Sequence, residues 1–210
     1  MQNGIIDLGD VQPIAKGKQQ LVFQHPNDEN RLIKVRQHSK KSHRFRRPAS
    51  RRLRSFRLWH LELTEYLTAI AQQGHHFDRM PQNFGFMDTS LGPAIVVEKI
   101  AGQDGRLAPT LSSVLETLND DQVMFDMLLR DAHSLFGDLF KLGLEWKDIG
   151  LQNVVVASRP EPHLVIIDGM GKSPLIPLPL LSKWVYARVH TQDERKLIAP
   201  MMRFAPQTGV

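Results

Sequence analysis

The apolar residues of this chain change their spacing several times, and that alternation limits the fold more than any single motif does. Four short apolar runs come first: Ile5-Ile6 with Leu8, Pro13-Ile14-Ala15, Leu21-Val22-Phe23, and Leu32-Ile33 with Val35. The stretches Lys16-Gly17-Lys18 and His25-Pro26-Asn27-Asp28-Glu29-Asn30 separate the later ones. Short runs between such breaks read as strands of an antiparallel meander. Leu53, Phe56, Trp59, Leu63, Leu67 and Ile70 then recur at steps of three and four, the spacing of one helix face. Pro48 and Ser50 mark the start of that helix and Gly74 its C-cap. Strand character returns over 84–100, around a turn at Asp88-Thr89-Ser90, and Gly102 and Gly105 mark a loop. A second amphipathic helix runs from Asp121 to near Gly143 on the stripe Phe125, Leu128, Ala132, Leu135, Phe136 and Leu139. Two more strands follow, Val154-Val155-Val156 and Leu164-Val165-Ile166-Ile167. The stretch SPLIPLPLL cannot be helical because its prolines alternate, and 181–204 reads as a last helix. The expected fold is α+β: an antiparallel sheet within residues 1–100 and a mainly helical, truncated part over 101–210.

Charge is distributed unevenly enough to matter. The chain of 210 residues carries a formal charge of +5, yet residues 38–57 hold nine Lys and Arg and no acidic residue, leaving −4 for the remainder. Such a run is either a solvated insertion or a contact for a polyanion: anionic lipid, phosphorylated glycan or nucleic acid. Phe45, Leu53 and Phe56 interleave with its arginines, which suits a membrane surface and a stacked base equally. No uncharged apolar run is long enough to span a bilayer, and the first residues lack the pattern of a secretory signal. A cytoplasmic location is expected, with the basic segment as a contact to the inner membrane surface. The absence of Cys rules out a disulfide scaffold, thiolate zinc sites and a cysteine nucleophile. The histidines show no metal-ligand spacing.

The polar residues at the ends of these elements form an ordered set: Lys34 closing a strand, a carboxylate (Glu62 or Glu65) on the following helix, Asp148 and Asn153 in a loop, and Asp168 at a strand end. Asp-x4-Asn alone arises by chance in a chain of this length about half the time, and Asp-Gly after a strand is a common turn signal, so the weight rests on the order. That order is the arrangement of a protein-kinase-like phosphotransferase. A strand lysine neutralises α- and β-phosphate charge, and a helix carboxylate holds its ammonium in place. Mg²⁺ keeps several waters and asks the protein for few oxygen ligands, here Asn153 and Asp168. Asp148 would orient or accept the proton of an attacking hydroxyl. ATP and Mg²⁺ are therefore the expected cofactors.

The segments IAKGKQQLVFQHP, RLIKV, GLEWKDIGLQNVVV and LVIIDGMG, with the basic insertion after the lysine strand, resemble the YrbL-like PhoP regulatory network proteins, a bacterial group with a protein-kinase-like fold. The resemblance covers roughly residues 5–204, and its most specific parts are the His-Pro turn before Ile-Lys-Val and the IIDG motif. It implies a two-lobed kinase-like fold and a link to the PhoP regulatory network, with an unknown phosphoacceptor. Of the two helix carboxylates it selects Glu62, four before Tyr66. It also makes residues 97–100 a hinge, where backbone groups of Glu98 and Ile100 would meet an adenine walled by Val22, Leu32 and Val155.

The departures are equally informative. Trp146-Lys147 stands where kinases place His-Arg before the loop Asp, and the phosphate loop has one glycine, Gly17, flanked by Lys16 and Lys18. No Ala-Pro-Glu follows Asp168 and only 42 residues remain after it. A small-molecule or lipid-sugar hydroxyl is a better expected acceptor than a protein. Two other readings compete with phosphotransfer: a non-catalytic kinase-fold regulator that binds nucleotide, and a polyanion-binding protein acting through residues 38–57.

Overall fold

The structure is a computed structural model and describes residues 5–17, 20–36, 48–158, 161–171 and 183–206, with backbone alone at 48–55 and 183–185. The chain divides into two compact units, Met1–Arg54 with Pro81–Ile100, and Ser55–Met80 with Ala101–Val210. Residues 55–80, which a cut at residue 100 assigns to the first domain, cluster with the second unit because their apolar face is buried there. Ala69, Phe77 and Met80 belong to its core.

The first unit is built on a five-stranded sheet. Its strands are β1 (Ala15–Lys16), β2 (Gln20–Gln24), β3 (Arg31–Arg36), β4 (Asn83–Thr89) and β5 (Gly92–Glu98), in the order β1-β2-β3-β5-β4. Every pairing is antiparallel. The β2–β3 turn is closed by polar groups: the Asn30 amide donates to Asp28 Oδ1 at 2.9 Å, and Arg31 pairs with Asp28 at 2.9 Å. Alternation along β2 and β3 sends Phe23, Ile33 and Val35 to one face, where they pack with Leu8 and Ala94 in a small core.

The expected strand at Ile5–Leu8 is not formed. Ile6 makes a single parallel bridge to Thr89, and the chain turns away at Gly9-Asp10. Leu8 still reaches the core at 2% exposure, its amide donating to Ser90 Oγ at 2.8 Å. In the expected run Pro13–Ala15 the ladder begins at Ala15, with the Ile14 amide already donating to the Val22 carbonyl at 2.8 Å, whereas Pro13 has no amide to contribute.

The second unit is mainly helical. Helix α1 (Pro48–Gln73) ends at Gly74, whose φ of 79° lets its amide return to the Ile70 carbonyl at 2.7 Å. Helix α2 (Leu111–Glu116) escapes the periodicity argument because it is too short: its buried face is Leu111 and Leu115 alone. Its start is set by the Thr110 hydroxyl, which accepts the Ser113 amide. Helix α3 (Gln122–Leu142) follows its sequence signals at both ends, with Asp121 accepting the Met124 amide at 2.9 Å and Gly143 in the left-handed conformation. Its stripe from Phe125 to Leu142 is the centre of the larger core. Strands β6 (Val154–Ala157) and β7 (His163–Ile166) form an antiparallel hairpin. Arg79 ties the hairpin to α3: its guanidinium lies 2.8 Å from Asp131, and Asp131 in turn accepts the Leu164 amide at 2.6 Å.

Helix α4 (Lys183–Met201) closes the unit with Leu197 and Met201 fully buried, and a His133–Glu194 contact of 2.7 Å links it to α3. The proline-alternating stretch lies outside the described residues. Among the described residues no helix is long and apolar enough to cross a membrane. If α4 is part of the core and not an appendage, Leu197→Ala costs about 2–5 kcal/mol, read as a lower urea midpoint. An unchanged midpoint contradicts that packing.

Candidate active site

Three of the candidate side chains come from two stretches that the backbone stitches together. After Gly143 reverses the chain, residues 145–153 run as a loop into the 3-10 turn Leu151–Asn153, directly before β6. Residues 167–171 follow β7. Between them, the Lys147 and Asp148 amides both donate to the Gly169 carbonyl, at 3.0 and 3.1 Å. The Gly171 amide donates to the Glu145 carbonyl at 2.7 Å, and the Ile167 amide to the Asn153 carbonyl at 2.9 Å. Trp146, 2% exposed and stacked on Phe136, sends its indole N–H to the Asp168 carbonyl at 3.3 Å. The residue that departs from the kinase pattern thus supplies a donor that holds the Asp168 backbone.

The glycines of the IIDGMG stretch are required by this closeness. Gly169 has a φ of +85°, and a Cβ there would stand 2.7 Å from the Asp148 Cβ. At Gly171 (φ +84°) the added carbon would meet the Leu61 Cβ at 2.6 Å. Both conditions exclude larger side chains. Leu61 sits on α1, so Glu62 belongs to the helical turn that abuts this segment.

The side-chain oxygens are oriented by what they leave unbonded. The Asn153 amide nitrogen donates to the Asp148 carbonyl at 2.7 Å, which fixes the buried side chain and turns Oδ1 the other way. Asp168 Oδ1 accepts the Gly169 amide at 2.8 Å. Among the described residues no hydrogen bond is made to Asn153 Oδ1, Asp168 Oδ2 or the exposed Asp148 carboxylate. One amide oxygen and one carboxylate oxygen are donors of the kind that suits Mg²⁺, an ion that keeps several waters of its own. No group of three or more His, Cys, Asp or Glu side chains able to hold a metal occurs among the described residues.

The remaining candidates lie in the first unit. Register places Val22 and Ile95 opposite Lys34 on neighbouring strands, so the three share a face, and Leu32 lies two residues along on it. This face is the reverse of the small core. Arg36 follows on the same face, its pKa lowered by burial. Gly17 sits in the β1–β2 turn, its amide donating to the Gln20 carbonyl at 2.9 Å, while Lys18 lies outside the described residues. Glu98 ends β5 and folds back on its neighbour: its amide donates to the Gln82 carbonyl at 2.9 Å, and its carboxylate accepts the Gln82 amide at 3.0 Å. Beyond the strand, the Ile100 amide makes no backbone hydrogen bond among the described residues. Val155 is buried in β6, opposite Val165. Residues 38–47 of the basic segment lie outside the described residues.

Glu65, the helix carboxylate that the resemblance set aside, and Tyr186, which sequence reasoning passed over, complete the second unit's site. Glu65 accepts the Glu145 amide at 2.9 Å, so a helix carboxylate is bonded to the start of the loop. Tyr186 on α4 lies against Phe140 and His190, with its hydroxyl 3.4 Å from the Leu144 carbonyl. Its pKa is pushed up to about 12, first by burial and then by the charges of Glu145 and Glu65.

Comparison with known proteins agrees with this architecture. The family described as the PhoP regulatory network protein YrbL matches residues 6–202. Two curated proteins, each called Uncharacterized protein YrbL, from Escherichia coli (strain K12) and Shigella flexneri, are 25% identical over 208 residues, covering 97% of this chain and 91% of theirs. Among solved structures, Rad53 1-466 in complex with AMP-PNP superposes with a TM-score of 0.52 at 12% identity over 89% of this chain, which spans 44% of that one. Such a likeness speaks to fold alone, and the fold is a protein-kinase-like α+β arrangement.

The Tyr186 environment makes a pH prediction. A pKa raised from 10.0 to about 12 means that the fold favours the protonated phenol, so the associated stability is full below pH 10 and is lost as pH rises toward 12. Ultraviolet titration should show one of the two tyrosines, Tyr66 and Tyr186, ionising near pH 12. Replacement by Phe should remove that step. Ionisation of both at the ordinary value contradicts the placement.

Proposed function

We propose, starting from the fact that the chain belongs to the PhoP regulatory network protein YrbL family, that it is an ATP- and Mg²⁺-dependent phosphotransferase acting on a small-molecule or lipid-sugar hydroxyl. The observation that carries this reading is the stitched pair of loops, which presents Asp148, Asn153 and Asp168 from one unit with oxygens unbonded among the described residues. That a chain of like fold was crystallised with AMP-PNP supports a nucleotide as the ligand.

In this reading Lys34 neutralises α- and β-phosphate charge, with Glu62 holding its ammonium, since Glu65 is engaged at the Glu145 amide. Gly17 and Lys18 cover the phosphates. The Glu98 carbonyl and Ile100 amide meet the adenine, between Val22 and Leu32. Asn153 Oδ1 and Asp168 would hold Mg²⁺, which when bound neutralises charge developing on the β- and γ-phosphates. Asp148 accepts the acceptor's hydroxyl proton as that oxygen bonds the γ-phosphorus. The bond from the γ-phosphorus to the bridging oxygen breaks, and its electron pair leaves with ADP.

The single glycine of the β1–β2 turn favours a second reading, a nucleotide-binding regulator without turnover. Residues 38–57 provide, in either case, a contact for anionic lipid, phosphorylated glycan or nucleic acid, with affinity that falls steeply with salt.

The test is a screen of metabolites and lipids with labelled ATP, alongside melting with Mg²⁺-ATP. Wild-type protein is expected to melt higher with Mg²⁺-ATP and to transfer label. Asp168→Asn or Lys34→Met should abolish the shift. Asp148→Asn should keep it while turnover falls about 10²–10⁴-fold. Binding without any transfer or hydrolysis selects the regulator, and no binding overturns both readings.

A further inference from the structure

Helix α1 grips the loop that carries Asp148. The Glu65 carboxylate accepts the Glu145 amide at 2.9 Å, and the Glu145 carbonyl accepts the Gly171 amide at 2.7 Å. The peptide groups flanking Glu145 are thereby fixed on both sides, by α1 and by the segment after Asp168. One helical turn before Glu65, Leu61 stands so close to Gly171 that no Cβ fits there. Residues 61 and 65 lie on one face of α1. That face bears on both partners of the stitch, and two residues after Trp146 the same backbone presents Asp148.

We propose that Glu65 is a positioning residue, which sets the placement of Asp148 through the Glu145 amide and so couples the position of α1 to phosphotransfer. The inference deepens the phosphotransferase reading and rests on it for its kinetic consequence. Its geometric half is independent of turnover. A carboxylate accepting an amide is a charge-assisted bond, shorter and stronger than a neutral one. The site is crowded with acidic and phenolic groups: Glu145 is itself a carboxylate, and both charges raise the Tyr186 pKa.

Two variants of similar length separate acceptor from shape. Glu65→Gln keeps an oxygen that can take the Glu145 amide. Glu65→Met fills the space without a useful acceptor. Amide exchange at Glu145 to Asp148, followed by NMR, is expected to quicken about 10-fold or more in E65M and to stay within a few-fold of wild type in E65Q. In the labelled-ATP assay, E65M should lose about 10- to 100-fold in kcat with the KM for ATP changed less than about 3-fold, and E65Q should recover most of it.

Unchanged exchange in E65M, or E65Q as damaged as E65M, overturns the proposal. Should wild-type protein show no transfer, the phosphotransferase reading fails, and the exchange result alone still decides for or against Glu65. If E65M does not fold, Glu65→Ala takes its place in the exchange measurement, with the same quickening expected and unchanged exchange again overturning the proposal.

Discussion

The Gly169 carbonyl accepts two consecutive amides, those of Lys147 and Asp148, and the order of the second unit's site follows from this one acceptor. A carbonyl has two lone pairs, so it can hold two donors from a chain that turns past it. To reach both, the two segments must come within van der Waals contact, and at that separation residue 169 can only be glycine. The Asn153 side chain then caps the Asp148 carbonyl, and the Trp146 indole holds the Asp168 carbonyl. Backbone groups and two donors do the positioning. Among the described residues the Asp148 carboxylate and Asp168 Oδ2 accept no hydrogen bond, while Asp168 Oδ1 accepts the Gly169 amide.

This explains how the site tolerates the departures in its sequence. Trp146 buries its ring against Phe136 in the larger core and still places one N–H on the Asp168 backbone. The ring takes the apolar load while its polar edge serves the loop, a division that suits indole. Around it, α4 closes the unit from the far end of the chain, with Tyr186 and His190 packed on Phe140 and Leu197 in the core. Burial and nearby carboxylates raise the Tyr186 pKa together, so the region under the loop is both apolar and negatively charged.

Much of the fold could be read from the sequence where local and tertiary preferences agree. Helix α3 is the clearest case, with Asp121, Gly143 and an unbroken apolar stripe all pointing to one element. The misses have physical causes. Ile5–Leu8 has a strand's composition but bridges Thr89 at one point only, and composition does not report how much edge is available. Helix α2 has two buried residues and is fixed by its Thr110 cap and its place against β6, not by periodicity. At the site, the order Asp148, Asn153, Asp168 is visible along the chain. The acceptor at Gly169, the indole bond and the Glu65 brace are not, because each joins residues at least 20 apart through a backbone group. Trp146 read as a departure since a motif names residue types, not the donors they provide.

The account turns on whether these oxygens serve one metal-bound nucleotide. The most direct measurement is a crystal structure with Mg²⁺ and a non-hydrolysable ATP analogue. The account predicts Mg²⁺ about 2.0–2.1 Å from Asn153 Oδ1 and from the Asp168 carboxylate, with the Gly169 carbonyl still accepting both amides. An ordered nucleotide and metal held without either residue would contradict it.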